Sequence, residues 1–311
     1  MKMASSPSSQ VGSKGQIDLM NLDHCPSCHS TKRKPFLSLP NVAVYTCVFC
    51  GLRYLDPCLS PSSMVHVYAS DETLTSLHRC HEGYYDYGDL ATSNKTSRDF
   101  QRALQLLEQH LPSARRTIFD VGFGNGYFLS HAKARGWQVG GIDSSTRNAE
   151  LAKKKFGLEL SISNFESYEP EQSLYDVVSF WDVIEHLPDP HQFISKAQKM
   201  LRPNGFILIA LPNDRSLLSV LSIFLYHISF SLGKKGTEKI YILEHVAYYD
   251  LGTLTGLLKQ HHFTLCDHFL TNTDLARYTL SWSDRLIGDG ILGLGSLFGF
   301  QNRLVAVFRM S

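Results

Sequence analysis

The chain has 311 residues, 43% of them hydrophobic, with 30 Lys and Arg against 29 Asp and Glu for a formal net charge of +1. That length holds one large domain with an appendage, or two modest ones. The balanced charge excludes a global basic field, so contact with nucleic acid would have to rest on a local patch.

Residues 1–20 are rich in Ser and Gly and lack an apolar segment of the kind a secretory signal needs. They read as a leader without a fold of its own. Residues 21–58 then hold five of the seven cysteines, Cys25, Cys28, Cys47, Cys50 and Cys58, while Cys80 and Cys266 stand alone. Such clustering suits a reducing, cytoplasmic compartment and asks for a metal before it asks for disulfides. "CPSC" at 25–28 and "CVFC" at 47–50 are two C-x-x-C pairs eighteen residues apart, a spacing that predicts a four-cysteine site. Each pair makes a tight turn that aims two thiolates at one point, and an intervening hairpin brings the pairs together. The predicted ligands are Cys25, Cys28, Cys47 and Cys50, in a zinc-ribbon-like module. Zinc is the expected ion, and iron in a rubredoxin-like arrangement uses the same ligands. Four thiolates leave no open position, which implies a structural role. The basic "TKRKP" at 31–35 reads as a solvated tip, so nucleic acid is not an expected partner.

Residues 59–97 form a connecting segment with few periodic signals, its Tyr84, Tyr85 and Tyr87 placed to close the substrate side of a site. Phe100, Ala103, Leu104, Leu107 and Leu111 recur at helical spacing, and Pro112 stops the helix. From there strand and helix alternate. "TIFDV" is followed by a helix closed by Gly136, "WQVGGID" by a helix closed by Gly157, and "LELSIS" makes a third strand. "YDVVSFWDV" precedes a helix predicted over 189–204 with Gly205 beyond it, and "FILIALP" makes a fifth strand. Unbroken apolar runs indicate strands buried on both faces of a parallel sheet. The segment 214–245 reads as an apolar, lid-like insertion. Within it, "SLLSVLSIFLYHISFSL" at 216–232 has a narrow polar stripe of Ser216, Ser219, Ser222, Tyr226 and Ser229, and it is predicted to be a buried helix or a lid over a hydrophobic substrate. "LIGDGILGLGSLFGF" at 286–300 is apolar too, but its glycines argue against a regular spanning helix. Both stretches allow peripheral membrane contact or a lipophilic substrate. A helix in "TLTGLLKQHHF" and strands in "TLCDHFL" and "RLVAVFRM" complete the chain.

"IFDVGFGNGYF" at 118–128 carries Gly122, Gly124 and Gly126 in a G-x-G-x-G spacing. A dinucleotide fingerprint needs G-x-G-x-x-G, and a phosphate loop needs Gly-Lys-Ser/Thr, so neither fits. The stretch resembles the first motif of class I S-adenosylmethionine-dependent methyltransferases. Asp143 follows about twenty residues on, at the end of the second strand, where an acid can accept from both ribose hydroxyls. "ISNFES" occupies the family's adenine-contact position, with Asn164 where an acid is common, and "FWDVIEHLPDP" is similar to its post-strand motif. The resemblance runs from about residue 98 to 270. Together with the cysteine head, the chain is similar to bacterial-type small-molecule methyltransferases. The implied fold is α/β: a Rossmann-like class I methyltransferase sheet with helices on both faces over 98–311. The implied cofactor is S-adenosylmethionine, held by Asp120, Gly122, Gly124, Gly126, Asp143, Asn164, Phe165 and Asp182.

The implied activity is methyl transfer to a small-molecule acceptor, O-linked or lipophilic. The sulfonium donor is already activated, so the protein has to position a nucleophile and exclude water. An oxygen nucleophile also calls for a base, and His186 and His245 are the candidates, each preceded by a glutamate. Two other readings stand beside this one. In the first, an RNA methyltransferase uses the ribbon to grip nucleic acid; in the second, the chain is a scaffold that binds the cofactor without turnover. Salt-dependent RNA binding would mark the first, and binding without transfer the second.

Overall fold

The computed structural model describes residues 17–39, 42–69, 95–112, 116–170, 174–228, 236–238, 240–275 and 280–311. The tyrosines at 84–87, Cys80 and most of the 59–97 segment lie outside the described residues. The chain begins with β1 (Leu19–Met20), β2 (Arg33–Leu39), β3 (Val42–Cys47), β4 (Arg53–Asp56), β5 (Cys58–Leu59) and helix α1 (Pro61–Ala69). β1 pairs antiparallel with β5, so the end of the expected foldless leader is ordered. The Leu22 amide adds a bond to Asp56 Oδ1 (2.9 Å), and Asp56 is ion-paired with Arg33.

Next come α2 (Lys95–His110), β6 (Thr117–Val121), α3 (Tyr127–Ala134), β7 (Gln138–Asp143), α4 (Thr146–Phe156), β8 (Ser161–Ile162) and β9 (Tyr175–Trp181). A short 3₁₀ turn (Ile184–His186), α5 (Pro190–Met200), β10 (Leu201–Pro212), α6 (Leu217–Ile228) and β11 (Ala247–Tyr248) follow. The chain ends with α7 (Leu251–Lys259), β12 (Phe263–Thr271), α8 (Trp282–Phe298) and β13 (Arg303–Met310). Local chemistry sets the helix starts. Ser145 caps α4 by accepting from the Asn148 amide, Asp189 caps α5 ahead of Pro190, and Asp250 with Thr253 forms a capping box on α7.

β12-β13-β10-β9-β6-β7-β8 form a seven-stranded sheet. It is parallel except for β13, which runs antiparallel to both neighbours. Its central strands are buried along nearly their whole length, as unbroken apolar runs predict. Three boundaries differ from the sequence expectation. α5 stops at Met200 and the chain passes directly into β10, because Pro203 would break a continuing helix. The third parallel strand shortens to two residues at the sheet edge. α7 ends at Lys259 in a turn where His262 has φ 60°.

The cysteine ribbon is joined to the sheet domain at several points. β11 adds to its edge, giving the order β11-β4-β3-β2, and the Leu55 amide bonds the Val246 carbonyl. Arg53 pairs with Asp214 at 2.8 Å, and Tyr226 of α6 donates to the Ser38 carbonyl. The Ser27 carbonyl, inside the first knuckle, accepts from Gln260 and contacts His191 Nε2. Leu55 and Val44 of the ribbon share one apolar cluster with Phe180, Ile207 and Leu254 of the sheet domain.

α6 departs from expectation in its orientation. Ser216, Ser219 and Ser222 face inward and are buried, while Val220, Phe224, Leu225 and Ile228 face outward. Among the described residues, those of α6 do not line the groove described below, whereas Ile242, Glu244 and His245 of the same 214–245 segment do. The glycine-containing stretch near the C-terminus folds as the helix α8. Among the described residues, no helix is long and apolar enough to cross a membrane.

Candidate active site

The four predicted thiols converge. Cys25 and Cys50 sulfurs lie 3.6 Å apart, and Cys28 and Cys47 sulfurs 3.5 Å apart; all four fall within 4.8 Å of one another. A tetrahedron with metal–sulfur bonds of about 2.3 Å has sulfur–sulfur edges of about 3.8 Å, so the set fits a four-thiolate ion. Each knuckle is closed by backbone, with the His29 amide on the Cys25 carbonyl and the Gly51 amide on the Cys47 carbonyl. Burial and the neighbouring thiols push Cys28 up to about 11, while the Cys25 thiol pulls Cys50 down to about 5. A cation at the centre would resolve that conflict by stabilising all four thiolates together.

The second site is a groove of about 350 Å³ along the carboxyl ends of β6, β7 and β9. This is the edge where open parallel sheets bind ligands. Gly124 has φ 54°, and a Cβ on it would meet nothing within 4 Å, so its backbone faces open space. Its amide donates to Asp143 Oδ2 at 2.9 Å. Asp143 Oδ1 accepts the Ser145 amide at 2.8 Å, which locks the carboxylate at the end of β7 and leaves acceptor capacity for a ligand hydroxyl. Burial pushes the Asp143 carboxyl up, against the pull of those amides. Gly126 has φ 76°, and a Cβ there would sit 2.9 Å from Ala152 Cβ, so this glycine lets α3 pack close to α4. Gly122 lines the same groove, and any Cβ on it would strike Val183.

Asn164 and Phe165 line the far end of the groove. Lys196 of α5 fixes that loop by donating to the carbonyls of Phe165, Glu166 and Tyr168 at 2.6–2.9 Å. The sequence reading did not include this lysine. Asp182 sits at the near end with φ 55°, its Oδ1 2.9 Å from Arg303. Arg303, from the last strand, was also missed. A smaller cavity of about 110 Å³ continues from here and is lined by Asp99, Asp120, Asn125, Asp182, Asp274 and Arg303, among others. Asp120 is 1% exposed and accepts from Ser179 Oγ at 2.6 Å. Burial pushes its carboxyl up to about 8. One guanidinium among several carboxyls suits a zwitterionic amino-acid end, and the open glycine, the fixed Asp143 and the Asn164 loop suit an adenosine. The residues present therefore fit S-adenosylmethionine.

The two predicted histidines meet on the other wall. His186 and His245 rings lie 4.8 Å apart, edge to face. His186 Nδ1 is 2.7 Å from the Glu244 carbonyl oxygen. A carbonyl only accepts, so Nδ1 carries the proton and Nε2 carries the lone pair. Burial lowers the His186 pKa, which keeps the ring neutral. Glu185 beside it is 2% exposed, and among the described residues neither of its carboxyl oxygens has a hydrogen-bond partner. Burial, and after it the Asp182 carboxylate, push its carboxyl well up. The donor atoms of Glu185, His186 and His245 lie within 4.8 Å of one another, a set able to take a hydroxyl or a divalent cation. Met64 and Val65 of α1, with Leu187 and Ile242, supply apolar surface in the same groove. Nothing in the local sequence around Met64 marked it for this wall.

A family model described as a methyltransferase domain matches residues 94–268, more than half of the chain. The chain belongs to the methyltransferase domain family. Its strand order, with an antiparallel β13 between β10 and β12, is the class I fold that the motif resemblance implied. Among curated proteins it is similar to a ubiquinone biosynthesis O-methyltransferase of Hydrogenovibrio crunogenus, 27% identical over 49% of this chain and 64% of that one. One of Rickettsia conorii is 34% identical over 34% of this chain and 38% of that one. The chain thus spans less than two thirds of the length of these relatives. Among solved structures it is similar to a SAM-dependent methyltransferase of Thermotoga maritima, described as a possible histamine N-methyltransferase, with a TM-score of 0.51 at 15% identity. The match covers 80% of this chain and 100% of that one, a likeness of fold.

Proposed function

We propose that the chain transfers a methyl group from S-adenosylmethionine to a hydroxyl of a small, partly apolar acceptor, with the four-cysteine ribbon held by zinc. The observation that carries this reading is one groove with two chemically distinct walls. Gly124, Asp143 and Asn164 line one side, and His186, His245 and Glu185 the other. The O-methyltransferase relatives support an oxygen acceptor, and Met64, Val65, Leu187 and Ile242 support an apolar body.

S-adenosylmethionine, when bound, supplies a methyl on a sulfonium, so the leaving group needs no protonation. Asp143 would hold the ribose and Asn164 the adenine edge. Arg303 and the carboxyls around the smaller cavity would hold the amino-acid end. His186 Nε2 takes the proton of the acceptor hydroxyl as the oxygen attacks, and the Glu244 carbonyl holds the imidazole in the tautomer that can accept it. The Glu185 carboxyl, with no hydrogen-bond partner among the described residues, is available to orient the acceptor oxygen. The apolar wall excludes water and so favours the aligned attack.

The test is to incubate the metal-loaded protein with methyl-labelled cofactor and cell extract, then separate organic-soluble, RNA and protein fractions. Label in organic-soluble small molecules, lost in His186→Asn, is expected. Label in RNA would favour the ribbon as a nucleic-acid grip. Cofactor binding without label in any fraction would favour the scaffold.

A further inference from the structure

The polarity of α6 is inverted for a helix at a water-facing surface. Its serines are buried, with Ser216 Oγ and Ser219 Oγ bonded at 2.9 Å and Ser222 packed against Gly236. Its outer face presents Val220, Phe224, Leu225 and Ile228, the last 67% exposed. α8 packs beside it, where Gly295 allows close approach to Leu217 and the Leu217 amide bonds the Phe300 carbonyl. The second half of α8 exposes Leu294, Leu297 and Phe298, and its first half Trp282, Leu286 and Ile287. Soluble surfaces seldom keep so many large apolar side chains together unless something covers them.

We propose that the α6–α8 face docks on a zwitterionic lipid bilayer, lying in the headgroup layer without spanning it. Both helices are too short to cross, and an apolar face on a helix in the membrane plane is how a chain binds such a layer. Charge points to the same occupant. The exposed polar side chains of α8 carry both signs, Arg285 beside Asp284 and Asp289, which complements the phosphate and ammonium of a zwitterionic headgroup. Trp282, 80% exposed near the start of α8, is a residue type that settles at the headgroup level. The face is also continuous with the groove. The Asn213 amide bonds the Asn302 carbonyl, Asn302 Oδ1 accepts the Thr273 amide, and Asn272 donates to the Leu292 carbonyl of α8. Their chain neighbours Pro212, Thr273 and Arg303 line the groove. A lipid-dissolved acceptor would therefore enter beside the docked helices. That delivery role rests on the methyl-transfer reading, whereas the docking does not.

The experiment is flotation of the full chain with vesicles of phosphatidylcholine and phosphatidylethanolamine, with tryptophan fluorescence as a second readout. Trp137 is buried and Trp181 half-buried, so an emission shift and quenching by brominated phosphatidylcholine report Trp282. The expected result is co-flotation with quenching, weakened at least about tenfold in a Phe224→Gln, Ile228→Gln, Leu297→Gln, Phe298→Gln variant. Phe49→Gln, 82% exposed on the second cysteine knuckle, should leave binding unchanged. Circular dichroism of the variant guards against misfolding. Protein that stays off the vesicles with unquenched emission overturns the proposal. So does a stable dimer that ignores vesicles and is split by the fourfold variant, which would assign the face to a second copy of the chain.

Discussion

The groove's cofactor wall takes Gly124, Asp143 and Asn164 from three successive strand–loop units of one parallel sheet. The facing wall takes Met64 from a helix before the sheet begins, and Ile242 and His245 from the segment leading into β11. The first wall follows from local order, because each parallel strand ends at the same edge and delivers its loop there. The second exists only after distant segments have packed, and its histidine is held by a backbone carbonyl 58 residues away. The difference predicts separable failures: changes on one wall should alter cofactor binding, and changes on the other should alter turnover.

The strongest perturbation should break both walls at once. Cys47→Ser opens the four-thiolate site, and the ribbon shares its apolar cluster and an edge strand with the sheet domain. The expected outcome is loss of about one zinc per chain and a thermal midpoint lower by about 10 °C or more, in one transition. Two separate transitions would mean that ribbon and sheet are energetically independent.

His186→Asn sharpens the comparison. An asparagine amide can still donate to the Glu244 carbonyl but cannot take a proton. Turnover should fall by about 10²–10⁴ while cofactor affinity stays unchanged. Burial lowers the His186 pKa below its ordinary 6.5, so wild-type turnover should be flat above that pH and decline only as pH falls below it. A pH–rate profile that keeps this limb in the variant would remove His186 from the proton transfer.

A third effect, dependent on pH, belongs to Asp120. Its carboxyl titrates at about 8 instead of the ordinary 3.8, so between those values the folded state binds more protons than the unfolded one. Wild-type stability should then fall as pH rises through that window. Asp120→Asn removes the dependence, so the variant should gain on wild type from about pH 4 to about pH 8 and level off above. Denaturant midpoints across that range read it, and a constant gap would mean the carboxyl is ionised throughout.

The legible parts of the sequence were those that act over short spacing. Cys25, Cys28, Cys47 and Cys50 lie in two tight turns, and their type and interval leave little else for them to do. The glycines, Asp143 and Asp182 each follow a strand whose apolar run announces it. Arg303 gave no such signal, because an arginine opening a terminal strand looks like any surface cation. Lys196 was equally silent, since the carbonyls it gathers come from a loop about thirty residues away. α6 shows a different limit. Periodicity revealed a serine stripe and an apolar face, but which face turns inward depends on the surface the helix meets. Here Ser38, Gly236 and the turn at Ser216 meet the polar stripe.

The most direct measurement is calorimetric titration of S-adenosylmethionine into zinc-loaded wild type, His186→Asn and Asp143→Ala. Asp143 fixes the Gly124 amide and offers the ribose its acceptor, so losing it should weaken binding by about two orders of magnitude. Saturable binding in wild type, unchanged in His186→Asn and lost in Asp143→Ala, is the predicted result. Absence of binding in folded wild type, or equal binding in Asp143→Ala, would contradict the assignment of this groove to the cofactor.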